Sequence, residues 1–570
     1  MRRAWRSERR WLLAGLVSVS LSAGCAGQSD TGRPPLFSSL PPSAPSPASP
    51  RTYYLSASGD DEHDGSSRGP WRTIDKINRT SLEPGDTVAF EGGSSFRGNL
   101  VIRQSGTVAL PIQVTSHPTQ GGDQAELFAG AGDGITIENA EHIRVSKIKV
   151  TGSGIRSNNG YGIRLSRTVS GNRRLNSIYL DHVETSGFRM AGITMDAGSH
   201  VSVGYNDIRI THSSIYGNGY AGVWMGGCGA SGSQGVYCFE NVYAGYNLIH
   251  DNPGIDIEEQ TGNGIFFKDV DGGMIEHCSA YNNGALNKNA GGGPVGIWAI
   301  FSNNITIQYN ESYQNHTRAN DGNGFDLDGG VTNSRMQYNY SHDNDGGGYL
   351  LSDWQDVMQS RNNIVRYNIS QNDGRAGFFG GIHLATTGPG RLTDVQIYGN
   401  TVYSDVHADA AFGIQGNVSN VRVHNNIFVA GSGTKIVHSR GGVAGVRMQG
   451  NVYWDIGSAF QFLWNGHIYS SLASWRAATG QERLNSADTG FQLDPGLVAA
   501  GQGGTIGDTD RLFTLAAYQL SLASPLRDQG LNLFALGIDP GSRDFYGNPI
   551  PQAAGFDIGA HELMGVGSAR

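Results

Sequence analysis

Charge is scarce in this chain. Charged residues make up 16% of its 570 residues, and no run of Lys or Arg occurs beyond the N-terminus. A protein that grips nucleic acid needs a basic patch, and a net charge of −9 argues further against that class. Cysteine is rarer still, with four residues and no CxxC or Cys/His spacing of the kind that holds zinc. Long apolar runs are missing as well: the stretch Trp11–Leu21 is too short to cross a bilayer as a helix. Low charge here does not mean disorder, because 38% of the chain is hydrophobic and aromatics are spread along it.

The short apolar stretch has a different use. Arg2, Arg3, Arg6, Arg9 and Arg10 precede it, and Leu21-Ser22-Ala23-Gly24-Cys25 closes it, which is the layout of an export signal. The closing segment resembles a bacterial lipobox, although Ser22 stands where Leu is usual. That resemblance implies a lipid on Cys25 and a cell-envelope location outside the cytoplasm, with release into the medium as a variant. Residues 26–51 are rich in Pro, Ser and Ala; they build no core and suit a tether.

What the chain has in quantity is glycine, 84 residues, about twice the usual share. Much of it is periodic. A Gly-hydrophobic-x-hydrophobic unit begins at Gly162, Gly192, Gly222, Gly264, Gly296, Gly324, Gly348, Gly381 and Gly413. Between these lies a second unit with turn asparagines at Asn310, Asn339, Asn368, Asn400 and Asn426. Short strands repeated in this way bury a face only when coils stack, so the pattern predicts a parallel β-solenoid with turn amides bonded in a ladder. Cys278 takes the Asn position in one coil and reads as a buried structural thiol. Leucine-rich repeats and propellers lack their Leu/Asn and Trp-Asp signatures here.

The opening, with Tyr53-Tyr54-Leu55-Ser56, Gly59-Asp60-Asp61, Gly65, Pro70-Trp71-Arg72-Thr73-Ile74 and Pro84-Gly85-Asp86-Thr87-Val88, resembles that of pectate-lyase-like right-handed parallel β-helix proteins. Phe556-Asp557-Ile558-Gly559-Ala560-His561-Glu562 resembles their closing strand. The resemblance implies an all-β, single-domain right-handed β-helix over 52–563. The N-terminal cap and first coils would occupy 52–135, regular coils 136–465, and C-terminal coils and cap 466–563, ahead of a tail at 564–570. Ser470–Gly480 reads as a short helix or excursion before the cap. The superfamily hosts glycoside hydrolases, lyases and uronan epimerases, so fold alone does not select the chemistry.

Strand alternation turns the repeat into a surface. Counting from each glycine, the second residue points outward and gives Arg164, Thr194, Trp224, Phe266, Trp298, Asp326, Leu350, His383 and Gln415. The fourth gives Ser166, Asp196, Gly226, Lys268, Ile300, Asp328, Ser352, Ala385 and Asn417. Three consecutive aromatics, Trp224, Phe266 and Trp298, could stack on sugar rings or lie under a covering loop. Beside them, Asp326 and Asp328 project from one strand about 6.5–7 Å apart, at the lower edge of the spacing used by inverting glycosidases. Lys268, Asp269 and His383 join them as catalytic candidates, and Asp345 and Asp353 as substrate-binding candidates. Oxygen ligands at Asp269, Asp326 and Asp328 would alternatively suit calcium, with Lys268 as a lyase base; no metal is assigned.

These residues describe a polysaccharide-cleaving enzyme, hydrolase slightly ahead of lyase. A uronan C5-epimerase and a non-enzymatic glycan-binding β-helix are the alternatives. A monomer is expected, with a polysaccharide as substrate and no nucleic-acid partner. Cys228 and Cys238 bracket a Gly/Ser-rich loop and, outside the cytoplasm, are expected to form a disulfide. For the anchor, Cys25→Ser should release the protein from membrane fractions or block its processing; unchanged retention with normal processing would refute lipidation.

Overall fold

The computed structural model describes residues 49–564, apart from 118–122, 199–202, 229–235, 356–357, 377–378, 458–459 and 553. Cys25 and the expected tether up to residue 48 therefore lie outside the described residues. Three sheets of fourteen strands each, here A, B and C, run the length of the body. One coil illustrates the path: Ile143–Ser146 lies in sheet A, Ile148–Gly152 in B and Ile163–Arg167 in C. Pairing between coils is parallel except for a terminal hairpin, Phe462–Trp464 with His467–Tyr469, which closes the exposed edge of sheet C.

The glycine repeat falls on sheet C as expected. Ile163 pairs with Ile193, and the file continues through Val223, Ile265, Ile297, Phe325, Tyr349 and Ile382 to Phe412. All of these are fully buried. One register differs. Because Ile382 pairs with Phe412, Gly413 stands opposite His383 rather than opposite Gly381. A Cβ on Gly413 would lie 2.0 Å from His383 Nδ1, so this glycine makes room for an imidazole instead of starting a strand. The outward residues of that coil are Gly413 and Gln415, not Gln415 and Asn417.

The asparagine ladder forms at the corner between sheets A and B. Asn310 Nδ2 donates to Asn339 Oδ1 at 3.0 Å, Asn339 to Asn368 at 3.1 Å, Asn368 to Asn400 at 3.0 Å and Asn400 to Asn426 at 2.9 Å. Asn426 passes the chain to Asn451, which donates to buried Glu482 at 2.8 Å. Cys278 takes its place below, receiving Asn247 Nδ2 on sulfur at 3.7 Å while its own N–H donates to Asn310. Burial pushes this thiol up to about 12, which keeps it protonated and inert. A second ladder runs at the B-to-C corner from Asn218 through Asn252, Asn283, Asn315 and Asn344 to Asp373. Both ladders end on a carboxyl, the acceptor that a row of amide donors requires.

The ends are sealed. Ile74–Asn78 forms a short helix that buries Ile74 and Ile77 at the first coils. Leu472–Thr479 forms the expected helix, capped by Ser471 and by Gly480 at φ 70°, and seats Trp475 against Phe462 and Trp464. The segment after it runs back along the outside of the coils. Ile506 and Gly507 donate to Glu311, and Tyr338 donates to the Arg543 carbonyl. Phe556–Glu562, expected as a closing strand, belongs to none of the three sheets. It is a buried turn that pairs with Gly530 and is held by Asp557 and Glu562 accepting backbone N–H groups.

The Cys228–Cys238 bridge is not formed. Both residues are thiols in side-chain contact, with Cys238 buried, and burial together with Cys228 and Asp269 pushes the Cys238 thiol upward.

The ladder carries a prediction. Asn339 Oδ1 accepts the buried backbone N–H of Asn310 and its Nδ2 donates to Ile307 O and Asn368 Oδ1, so Asn339→Leu leaves that N–H unmet and takes a donor from both acceptors, at about 1–3 kcal/mol for an unmet buried group. Chemical denaturation should show a loss of that order; an unchanged midpoint would mean that the ladder contributes nothing.

Candidate active site

The outward column of sheet C is in register across its coils: Thr194, Trp224, Phe266, Trp298, Asp326, Leu350, His383. Register, however, does not make it open. Phe266 and Trp298 stack at 4.0 Å and are 3% and 1% exposed, packed with Val295 and Ile300. Trp224 alone of the three is partly exposed. The aromatic file is thus a covered cluster with one open end, which corrects the expected sugar platform for Phe266 and Trp298.

Asp326 follows Trp298 in the same column and is 3% exposed, so the expectation that it points to solvent is also corrected. Its Oδ1 has no hydrogen-bond partner, and neither does Trp298 Nε1 beside it. Burial raises the Asp326 pKa well above the usual carboxylate range, and the negative charges of Asp328 and Asp321 add to the rise. Asp328 is partly exposed two residues on, just past the end of the strand at Leu327. Burial raises it too, but Gly329 N–H at 2.7 Å and the side chains of Ser352 and Trp354 favour its ionised form. Asp321 enters the strand in a left-handed conformation, φ 63°. It accepts Gly293 N–H at 2.5 Å and is pushed up to about 6 by burial and by Asp328. Three carboxyls whose charges repel one another hold fewer than three negative charges.

Two members of this site were missed by counting positions along the repeat. Asp321 precedes its strand, and Trp354 lies in the loop that leaves sheet C, so neither falls in an outward column. Trp354 is 37% exposed and its side chain bonds Asp328, which places an open aromatic ring beside the acids. A Trp after a strand ending Ser-Asp was the signal available.

The remaining candidates are dispersed. Lys268 is partly exposed and two coils from Asp326. Asp269 is turned off the sheet at φ 57° and buried beside Gly227 and Cys238, not among the acids. His383 lies two coils beyond Asp326, buried, with neither ring nitrogen bonded. Its pKa falls to about 4 through burial, so it is a neutral imidazole grouped with Asp409 and His438. Asp353 is buried and accepts Ser360 and Gln355 N–H groups, a structural acceptor rather than a substrate contact. Asp345 sits on the rim near Asp321, bonded to His316 and Thr317. Among the described residues, Asp181, His182 and His212 are the group that brings three metal-ligating atoms within 4.8 Å of one another; the trio expected for calcium does not.

Residues 191–402 match the family model described as the right-handed β-helix region. No curated protein sequence matches the chain. Two solved structures of GH136 lacto-N-biosidase from Eubacterium ramulus are similar in fold, at 17% and 18% identity, each with a TM-score of 0.50. They align with 70% and 71% of this chain, which spans 66% and 67% of theirs, about two thirds of their length. Pectate lyase Pel9A aligns with 90% of this chain and 97% of its own at 14% identity, with a TM-score of 0.44. Stacked parallel coils, internal amide ladders and the matched region together identify the protein as a right-handed parallel β-helix.

Proposed function

We propose that this chain is an extracytoplasmic carbohydrate-active enzyme that hydrolyses glycosidic bonds at the Asp321, Asp326 and Asp328 cluster. The observation that carries the reading is the divergence of two acids set two residues apart at the end of one strand. Asp326, buried and without a partner on Oδ1, holds its proton and suits a general acid. Asp328, partly exposed and supplied with donors by Gly329, Ser352 and Trp354, suits the base that activates water. Two residues of extended chain separate such acids by about 6.5–7 Å, a spacing that favours inversion at the anomeric carbon. Trp354 beside Asp328 offers a ring face for the sugar. The GH136 lacto-N-biosidase fold is a precedent for hydrolysis on this scaffold. The export signal and Cys25 complete the proposal with a lipid-anchored enzyme at the cell envelope.

The test is a panel of neutral oligosaccharides and uronic polysaccharides, read by reducing ends and by absorbance of unsaturated products. Reducing ends without unsaturated sugars are expected, unaffected by chelator. Asp326→Asn and Asp328→Asn should each lower turnover by at least about a hundredfold. Rate should fall as pH rises through the elevated Asp326 value, because the acid loses its proton. It should fall again at low pH as Asp328 takes one up. Unsaturated products, or full activity in both variants, would overturn the assignment.

A further inference from the structure

The outer face of sheet A carries a row of residues in the left-handed conformation, and one of them is glycine. At one position in successive coils the backbone enters the left-handed region, and the residues there are Asp207 (φ 57°), Asn241 (φ 53°), Gly272 (φ 74°), Asn304 (φ 54°), Asn333 (φ 53°) and Asn362 (φ 57°). The flanking pairs Glu240–Asp271–Asn303 and Val242–Gly273–Ile305 fix that alignment. Short amide and carboxylate side chains tolerate this conformation and bond their neighbours, as Asn362 Nδ2 does to Asn333 Oδ1 at 2.7 Å. Gly272 alone of the six offers no side chain.

Gly272 borders a hollow of about 400 Å³ lined also by Asp207, Arg209, Asn241, Tyr243, Met274, Asn304 and Thr306. That volume lies within the range of small-ligand sites. Its chemistry is specific. A Cβ at Gly272 would lie 3.4 Å from Asn241 Oδ1, so an acceptor faces the gap, because Asn241 Nδ2 is spent on Asn206. Asn304 flanks the other side with an amide. Arg209 and Asp207 pair at 3.1 Å, which leaves little net charge. Tyr243 and Met274 supply an apolar floor, with the Tyr243 hydroxyl directed to Glu276. Paired amides around an aromatic and thioether floor recognise sugar hydroxyls over C–H faces, not a phosphate or a uronate, which would require uncompensated cations.

We infer that this hollow is a second saccharide site, for a neutral glycan, on a different sheet from the acid cluster. It would hold a polymer chain to the protein without cleaving it. The inference does not depend on the chemistry at Asp326.

Gly272→Asn supplies a side chain where the row has none. Asn already occupies this conformation at neighbouring positions, so the fold should be retained and the hollow filled. The mature protein would be run by affinity electrophoresis in gels containing neutral polysaccharides, with a uronan gel as comparison. Retardation of the native protein in at least one neutral gel is expected, with little in the uronan gel. Gly272→Asn and Arg209→Ala should each weaken it at least tenfold, while any cleavage of short soluble substrate stays unchanged. Circular dichroism establishes that both variants are folded. Equal retardation of native and Gly272→Asn protein, or no retardation of the native protein in any neutral gel, would overturn the inference.

Discussion

From Asn218 to Glu482 the coils of this protein are held together by one constraint: a buried amide at the corner has one partner above and one below. An asparagine in such a row accepts from the preceding coil, donates to the following one and also bonds a backbone carbonyl, as Asn339 does with Ile307. No other neutral side chain of that size satisfies all of these demands. The constraint fixes register along the axis, because a coil that slipped by one residue would break two buried donors and turn its core residues outward. It also explains the terminal acids. Glu482 and Asp373 finish rows that would otherwise end on unmet N–H donors, and burial raises the pKa of each, Asp373 to about 6.

In-register stacking is what allows a site to be assembled from strands that are distant in sequence. Trp298, Asp326 and Leu350 are neighbours only because their coils align, and the covering of the sheet then decides which of them meets solvent. The acids are destabilising where they stand, since buried carboxyls without cations resist ionisation. An enzyme tolerates that cost when the retained proton is useful. The same body presents a different sheet, where a glycine in a row of left-handed residues borders a hollow of another character.

Much of this was legible in the sequence, for identifiable reasons. The glycine period, the alternation within each strand and the row from Asn310 to Asn426 all report local geometry, and all of them recur. The second ladder was legible too, since Asn283, Asn315 and Asn344 recur five residues after the first row. What escaped depended on depth and on loops. Periodicity states that Phe266, Trp298 and Asp326 point outward, but not that other chain segments cover them. Gly413 matched the repeat by residue type yet stands in an outward position under His383. Asp321 and Trp354 lie beyond the strand ends, where no period reaches them. Asp269 follows Lys268 directly, and a left-handed turn at that residue buries its carboxylate beside Gly227, where the Lys268 side chain also passes, two coils from the acids.

The central claim is that the acid cluster keeps a proton at neutral pH and that Asp326 carries it. Infrared difference spectroscopy of native protein against Asp326→Asn at pH 7 tests this without any knowledge of the substrate. The account predicts loss of one protonated carboxylic-acid carbonyl band in the variant. Loss of an ionised carboxylate band instead would show that Asp326 is charged in the native protein and would contradict the account.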